Sequence, residues 1–273
     1  MMKSLIFSVL FLLAAYATTI SAQTLHVSHC LMACPAGTPA TNELIIRHLF
    51  AVSINQQTRL ADWVSYRILD GSIGVASLLQ REWRDDDLMQ FGFQSSDLGS
   101  DQARVSRPNL ENQQDSSYRT NEVIINAGDR GRLVPMSSFA NSRYWPDLNL
   151  LSVMSLIKPG LRLGPWARLD QAVNHMVQLS GDAYVLVGPI FGNSDSINLE
   201  NADNINAPIA YFKIVANADG ELSVFVFDQE IALHINYCAL LSDLATVESV
   251  TGLELFPQAE DWPRGSLNRQ LGC

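Results

Sequence analysis

The chain has 273 residues, 47% of them hydrophobic and 17% charged, with a formal net charge of -10. That is the composition of a soluble globular protein, long enough for one large domain or two small ones. The negative balance argues against broad electrostatic attraction to nucleic acid or anionic lipid and leaves room only for a local basic cleft.

Residues 1–22, MMKSLIFSVLFLLAAYATTISA, pass from Lys3 through the apolar run Leu5 to Ala15 and end in Ser21-Ala22. That order predicts a secretory signal peptide cut after Ala22. The apolar run is short for a bilayer span and no second one follows, so the mature chain is expected to be exported without a membrane anchor. Residues 23–42 read as loop, with Pro35, Gly37 and Pro39 as punctuation.

The stretches ELIIRHLFAVSIN and LADWVSYRIL read as strands separated by the turn-like NQQT. Residues 70–120 are polar and weakly periodic, and the acidic run Asp85-Asp86-Asp87 reads as a solvated loop. SSYRTNEVIINAG is strand-like, whereas WPDLNLLSVMSL fits a strand or a buried helix equally well. GPWARLDQAVNHMVQLS is the clearest helix, with Pro165 near its start, Leu169, Val173, Met176 and Val177 on one face, and Gly181 after its end. AYVLVGPIF, APIAYFKIVAN and LSVFVFDQE are strands, the last two joined by NADG. YCALLSDLATVESVTGLEL reads as a second helix ending near Gly252. No repeat or linker divides residues 23–273, which are expected to form one α+β domain with helices packed on a sheet.

All four cysteines follow the signal segment. An even count in an exported chain favours two disulfides, and Cys30–Cys34 with Cys238–Cys273 is the economical choice among three connectivities. His26, His29, Cys30 and Cys34 also group zinc-ligand types, but an oxidising compartment consumes the thiolates.

The segment Asp129-Arg130-Gly131-Arg132 poses the functional question. An active site needs a base, and arginine cannot accept a proton from water. In order along the chain, HCLMACPAGT, TRLADWVSYRI, REW, DRGRLVP, LNLLSVMSLIKPGLRLGPWARLD, VLVGPIF and YFKIV together resemble the exported DNA/RNA non-specific endonucleases, the ββα-metal nuclease family. The resemblance spans nearly the whole mature chain and implies a central antiparallel sheet flanked by helices. It also implies phosphodiester hydrolysis assisted by one hydrated Mg2+, with a DRGH histidine as general base, an asparagine on the metal and arginines on the phosphate.

Position by position, this chain departs from that pattern. The base histidine is Arg132, the metal asparagine four residues before Trp166 is Arg162, and a second site asparagine is Val153. The family's proline and glutamine are Leu156 and Ile157, the glutamate that orders the metal's waters is the shorter Asp170, and a helix arginine is Asn174. Asp129, Arg130, Gly131 and Trp166 are retained, as is Arg81 of REW, a candidate phosphate contact with Arg130 and Arg162.

The resemblance therefore implies a nuclease scaffold with impaired catalysis, and two outcomes for its arginines. They form a cationic pocket that binds nucleic acid or another phosphate-bearing ligand without Mg2+, or they pair with Asp129, Asp170 and Asp147 as a ligand-free remnant. The alternatives are an active divergent metal-dependent nuclease or phosphodiesterase with a shifted base, and a protein-interaction module.

Overall fold

A computed structural model of the chain describes residues 25–98, 131–192, 208–259 and 262–273. Seven strands form its main sheet: β1 (Glu43–Ile46), β2 (Ala51–Ile54), β3 (Ala61–Leu69), β6 (Asp182–Ile190), β7 (Ala210–Ala216), β8 (Leu222–Asp228) and β9 (Leu241–Ser242). They lie in the order β1-β2-β3-β6-β7-β8-β9, every neighbouring pair antiparallel. Between β3 and β6 the chain forms a two-stranded ladder, β4 (Gly131–Arg132) with β5 (Met154–Ser155), and then a helical layer. That layer runs from α1 (Pro159–Leu161) through a kinked turn at Arg162–Trp166 into α2 (Ala167–Ser180). The ladder and α2 make a ββα unit.

The central strands are apolar in continuous runs because both sheet faces are covered. In β7, Tyr211 and Val215 join the core beneath α2, while Phe212 and Ile214 join the core on the opposite face. Leu169, Val173, Met176 and Val177 of α2 supply the first core, as their helical spacing predicts. The second is closed by the Cys30–Cys34 loop and by α3 (Leu244–Thr251), through Val247. Gly181 ends α2 at φ 98°, where its N–H donates to Val177 O.

Three segments differ from the sequence reading. ELIIRHLFAVSIN is a hairpin, with Arg47 N–H donating to Phe50 O across its turn. WPDLNLLSVMSL is neither strand nor long helix; it forms 3-10 turns at Trp145–Asn149 and Leu151–Val153 before β5. The second long helix is confined to α3, because the Asp243 carboxylate accepts from Thr246 N and starts the helix there. The preceding residues form a 3-10 turn at Tyr237–Leu240 and strand β9.

Both expected disulfides are present, Cys30–Cys34 and Cys238–Cys273. The second secures a C-terminal segment whose Leu267 and Leu271 are buried in the core under α2. Among the described residues no helix is long and apolar enough to cross a membrane. The signal segment, the part of the polar 70–120 stretch beyond Leu98, SSYRTNEVIINAG, Asp129 and Arg130 lie outside the described residues.

Candidate functional site

The β4–β5 ladder places Gly131 opposite Ser155 and Arg132 opposite Met154. Gly131 is required by close approach: a Cβ built there would sit 2.6 Å from Ile157 Cβ. Gly131→Ala is expected to destabilise the fold by about 1–3 kcal/mol through overpacking, seen as a lower urea midpoint.

Arg132, which the sequence resemblance sets at the base position, is built into its surroundings. Its Nε donates to Leu148 O (3.2 Å), and its Nη2 donates to Arg81 O (3.3 Å) and to Asn149 Oδ1 (2.8 Å). Its guanidinium carbon lies 4.1 Å from the centre of the Trp83 ring. Asn149 is itself buried and donates to Gln80 O, so one amide joins Arg132 to the 80–84 segment. Arg81 and Arg132 are therefore neighbours, both half-buried.

The acidic run is not simply a solvated loop. Asp86 is buried and accepts from Arg47, from Ser152 Oγ (2.5 Å) and from Leu88 N (3.0 Å). It ties the β1–β2 turn to the segment after Arg84, which bridges Leu150, and to the turn carrying Val153. Asp87 stays exposed, where the Arg47 guanidinium holds its carboxyl below the ordinary range; Asp85 accepts from Ser95.

Across the layer, Arg162 is 7% exposed and Val153 is fully buried in the α2-side core. Asn174, where the resemblance expects a helix arginine, accepts from Ser138 Oγ (2.6 Å) and donates to Ser137 Oγ (3.1 Å), fastening α2 to the 3-10 turn at Met136–Phe139 that follows β4. Among the described residues Asp170 pairs with a lysine, not with an arginine. Its Oδ1 accepts from Lys213 Nζ at 2.5 Å, and Lys213 is completely buried with its ammonium 3.7 Å from the Trp166 ring centre. Burial pushes the Asp170 carboxyl up and the Lys213 ammonium down, and each charge opposes the other's shift. Tyr66 Oη lies buried in the same core with no hydrogen-bond partner among the described residues; burial, and then the Asp170 charge, push its pKa up. Asp147 is engaged too, by His48 Nδ1 at 3.3 Å.

A sequence model of the DNA/RNA non-specific endonucleases matches residues 30–261. The chain belongs to that family. It is 26% identical over 268 residues to a protein named Nuclease from Serratia marcescens, an overlap of 94% of this chain and 91% of the relative. Among solved structures it is similar to a chain of the EndoG/EndoGI complex, with a TM-score of 0.60 at 18% identity, covering 81% of this chain and 89% of that one. The α+β, ββα-metal nuclease architecture is thereby shown.

Family members are metal-dependent nucleases, and Mg2+ takes hard oxygen ligands. At the corresponding positions the described residues present a buried guanidinium at Arg162, an apolar wall at Val153, and a carboxylate at Asp170 already held by an ammonium. A guanidinium has no lone pair to donate, so Arg162 offers a cation no ligand there. These residues do not fit Mg2+. No group of three or more His, Cys, Asp or Glu converges as a metal site among the described residues.

Sequence reasoning passed over Lys213, Trp83 and Asn149. Lys213 carried a signal: one charge within the apolar strand AYFKIVA has to find a buried partner. Trp83 and Asn149 carried none, because their role is defined by Arg132.

Proposed function

We propose that the protein is an exported member of the family in which hydrolysis is impaired and binding of nucleic acid or a related phosphate-bearing ligand is retained. The observation that carries this reading is the state of Arg132. A guanidinium stands at the base position, donating to two backbone carbonyls and an amide and stacked on Trp83. It has no accessible neutral form, so it abstracts no proton from water. A missing base removes roughly 10²- to 10⁴-fold from the rate. The misfit of Arg162 and Val153 to a metal removes a second requirement independently.

Binding rests on side chains of the opposite sign. Arg81 and Arg132 are adjacent and half-buried, and Arg130 of the same loop is retained. Arginine is suited to paired contacts with phosphate oxygens. Arg162, being buried, offers little surface to such a ligand. Export is supported by the order of residues 1–22 and by two disulfides, which persist in oxidising compartments.

The test is incubation of purified mature protein with plasmid DNA and RNA in Mg2+ or Mn2+, beside retention of a labelled oligonucleotide. The expected result is intact substrate and binding that weakens with added salt. EDTA-sensitive cleavage by the unmodified protein would overturn the reading and place the base elsewhere.

A further inference from the structure

His48, in the β1–β2 turn, lies flat on Tyr144: the ring centres are 3.8 Å apart and the planes differ by 5°. Its Nδ1 meets Asp147 Oδ2 at 3.3 Å, which fixes the rotation of the imidazole. The Arg143 guanidinium also lies over Tyr144, 4.7 Å from the ring centre, and its Nη2 donates to Tyr144 Oη at 2.5 Å. The result is a column in which His48, stacked on Tyr144, keeps 59% of its side chain exposed.

The column stands beside the site already described. Asp147 precedes Leu148, whose carbonyl accepts from Arg132, and Arg84 donates to Pro146 O at 2.7 Å. A flat, rotationally fixed and largely exposed ring with a guanidinium nearby is the combination that receives an unpaired base together with its backbone phosphate. Fixing the ring beforehand lowers the ordering cost of binding. A duplex keeps its base faces stacked internally and offers none to such a platform.

We propose that the outer face of His48 is a stacking platform for an unpaired nucleobase of single-stranded nucleic acid, with Arg84, held at Pro146 next to Asp147, as the neighbouring guanidinium for a phosphate. This rests on the reading that the ligand is nucleic acid. Asp147 positions the ring and takes no part in contact with the base.

The experiment compares a labelled oligothymidylate with an abasic oligomer of equal length and charge. It uses the mature protein and its His48→Ala and His48→Phe variants, with thermal unfolding as a check on each. The unmodified protein is expected to hold the thymidylate about tenfold more tightly than the abasic strand, the scale of one lost base–aromatic stack. His48→Ala should abolish that preference, and His48→Phe, which keeps an aromatic face without an imidazole, should retain it. Equal affinities for the two strands in the unmodified protein overturn the platform and leave phosphate binding standing. A preference unchanged in His48→Ala, or lost equally in His48→Phe, also overturns it. Binding of neither strand overturns both the platform and the nucleic-acid reading.

Discussion

The double substitution Arg132→His/Arg162→Asn is expected to introduce EDTA-sensitive nicking of plasmid DNA, with either single substitution leaving the plasmid intact. Histidine restores a group whose neutral form is populated near neutral pH, and asparagine restores an oxygen donor in place of a positive charge. The requirements are of different kinds, so meeting one leaves the other limiting. The gain is expected to stay below that of an intact family site, because Val153 remains apolar and Asp170 remains bound to Lys213. Supercoiled-to-open-circle conversion at equal protein concentration reads the effect. A folded double variant that leaves plasmid untouched would show that Val153, Asn174 or the hold on Asp170 disables the site by itself.

Lys213→Met should be the most damaging single change to stability. It removes the cation from a pair in which the lysine is wholly buried and the aspartate side chain 13% exposed. Removing one partner of a buried pair costs about 3–5 kcal/mol, since the other charge is left uncompensated. At the urea sensitivity of a chain this size, that corresponds to a midpoint lowered by roughly 1 M or more. Adding Asp170→Leu to Lys213→Met should recover most of the loss, because an apolar replacement of both partners removes the desolvation cost with the attraction. If Lys213→Met alone melts with the unmodified protein, the pair contributes nothing net and Asp170 has another partner.

Much of the sheet and the long helix could be read from the chain because their signals are local. β3, β6, β7 and β8 are short runs rich in apolar, aromatic and β-branched residues, and α2 repeats its apolar residues at helical spacing between Pro165 and Gly181. The β1–β2 hairpin was hidden because its turn, Arg47-His48-Leu49-Phe50, has none of the residues that favour tight turns; Leu49 and Phe50 point into the core instead. The second helix was read too long because Leu240, Leu241 and Leu244 carry apolar character straight through the cap. Asp243 with Thr246 was the local sign of where the helix starts.

The site divides the same way. Substitution of the base and the metal ligand could be seen in DRGR and in Arg162, because the resemblance fixes which residue types belong there. What the substitutes do could not be seen. Asp86 meets Arg47 from 39 positions away, Asp170 meets Lys213 from 43, and Arg132 rests on Trp83. Such pairings are set by packing between layers, and no spacing along the chain encodes them.

The anchoring of Arg132 also sets the cost of changing it. Replacing it by histidine takes a donor from the carbonyls of Leu148 and Arg81 and from the amide oxygen of Asn149, and it bares the face of Trp83. Each buried acceptor deprived of its donor costs on the order of 1–3 kcal/mol. A chain given histidine at this one position thus becomes less stable before any activity is gained. As scaffold the arginine is costly to replace, and a base is gained with less loss of stability at a different position than at this one.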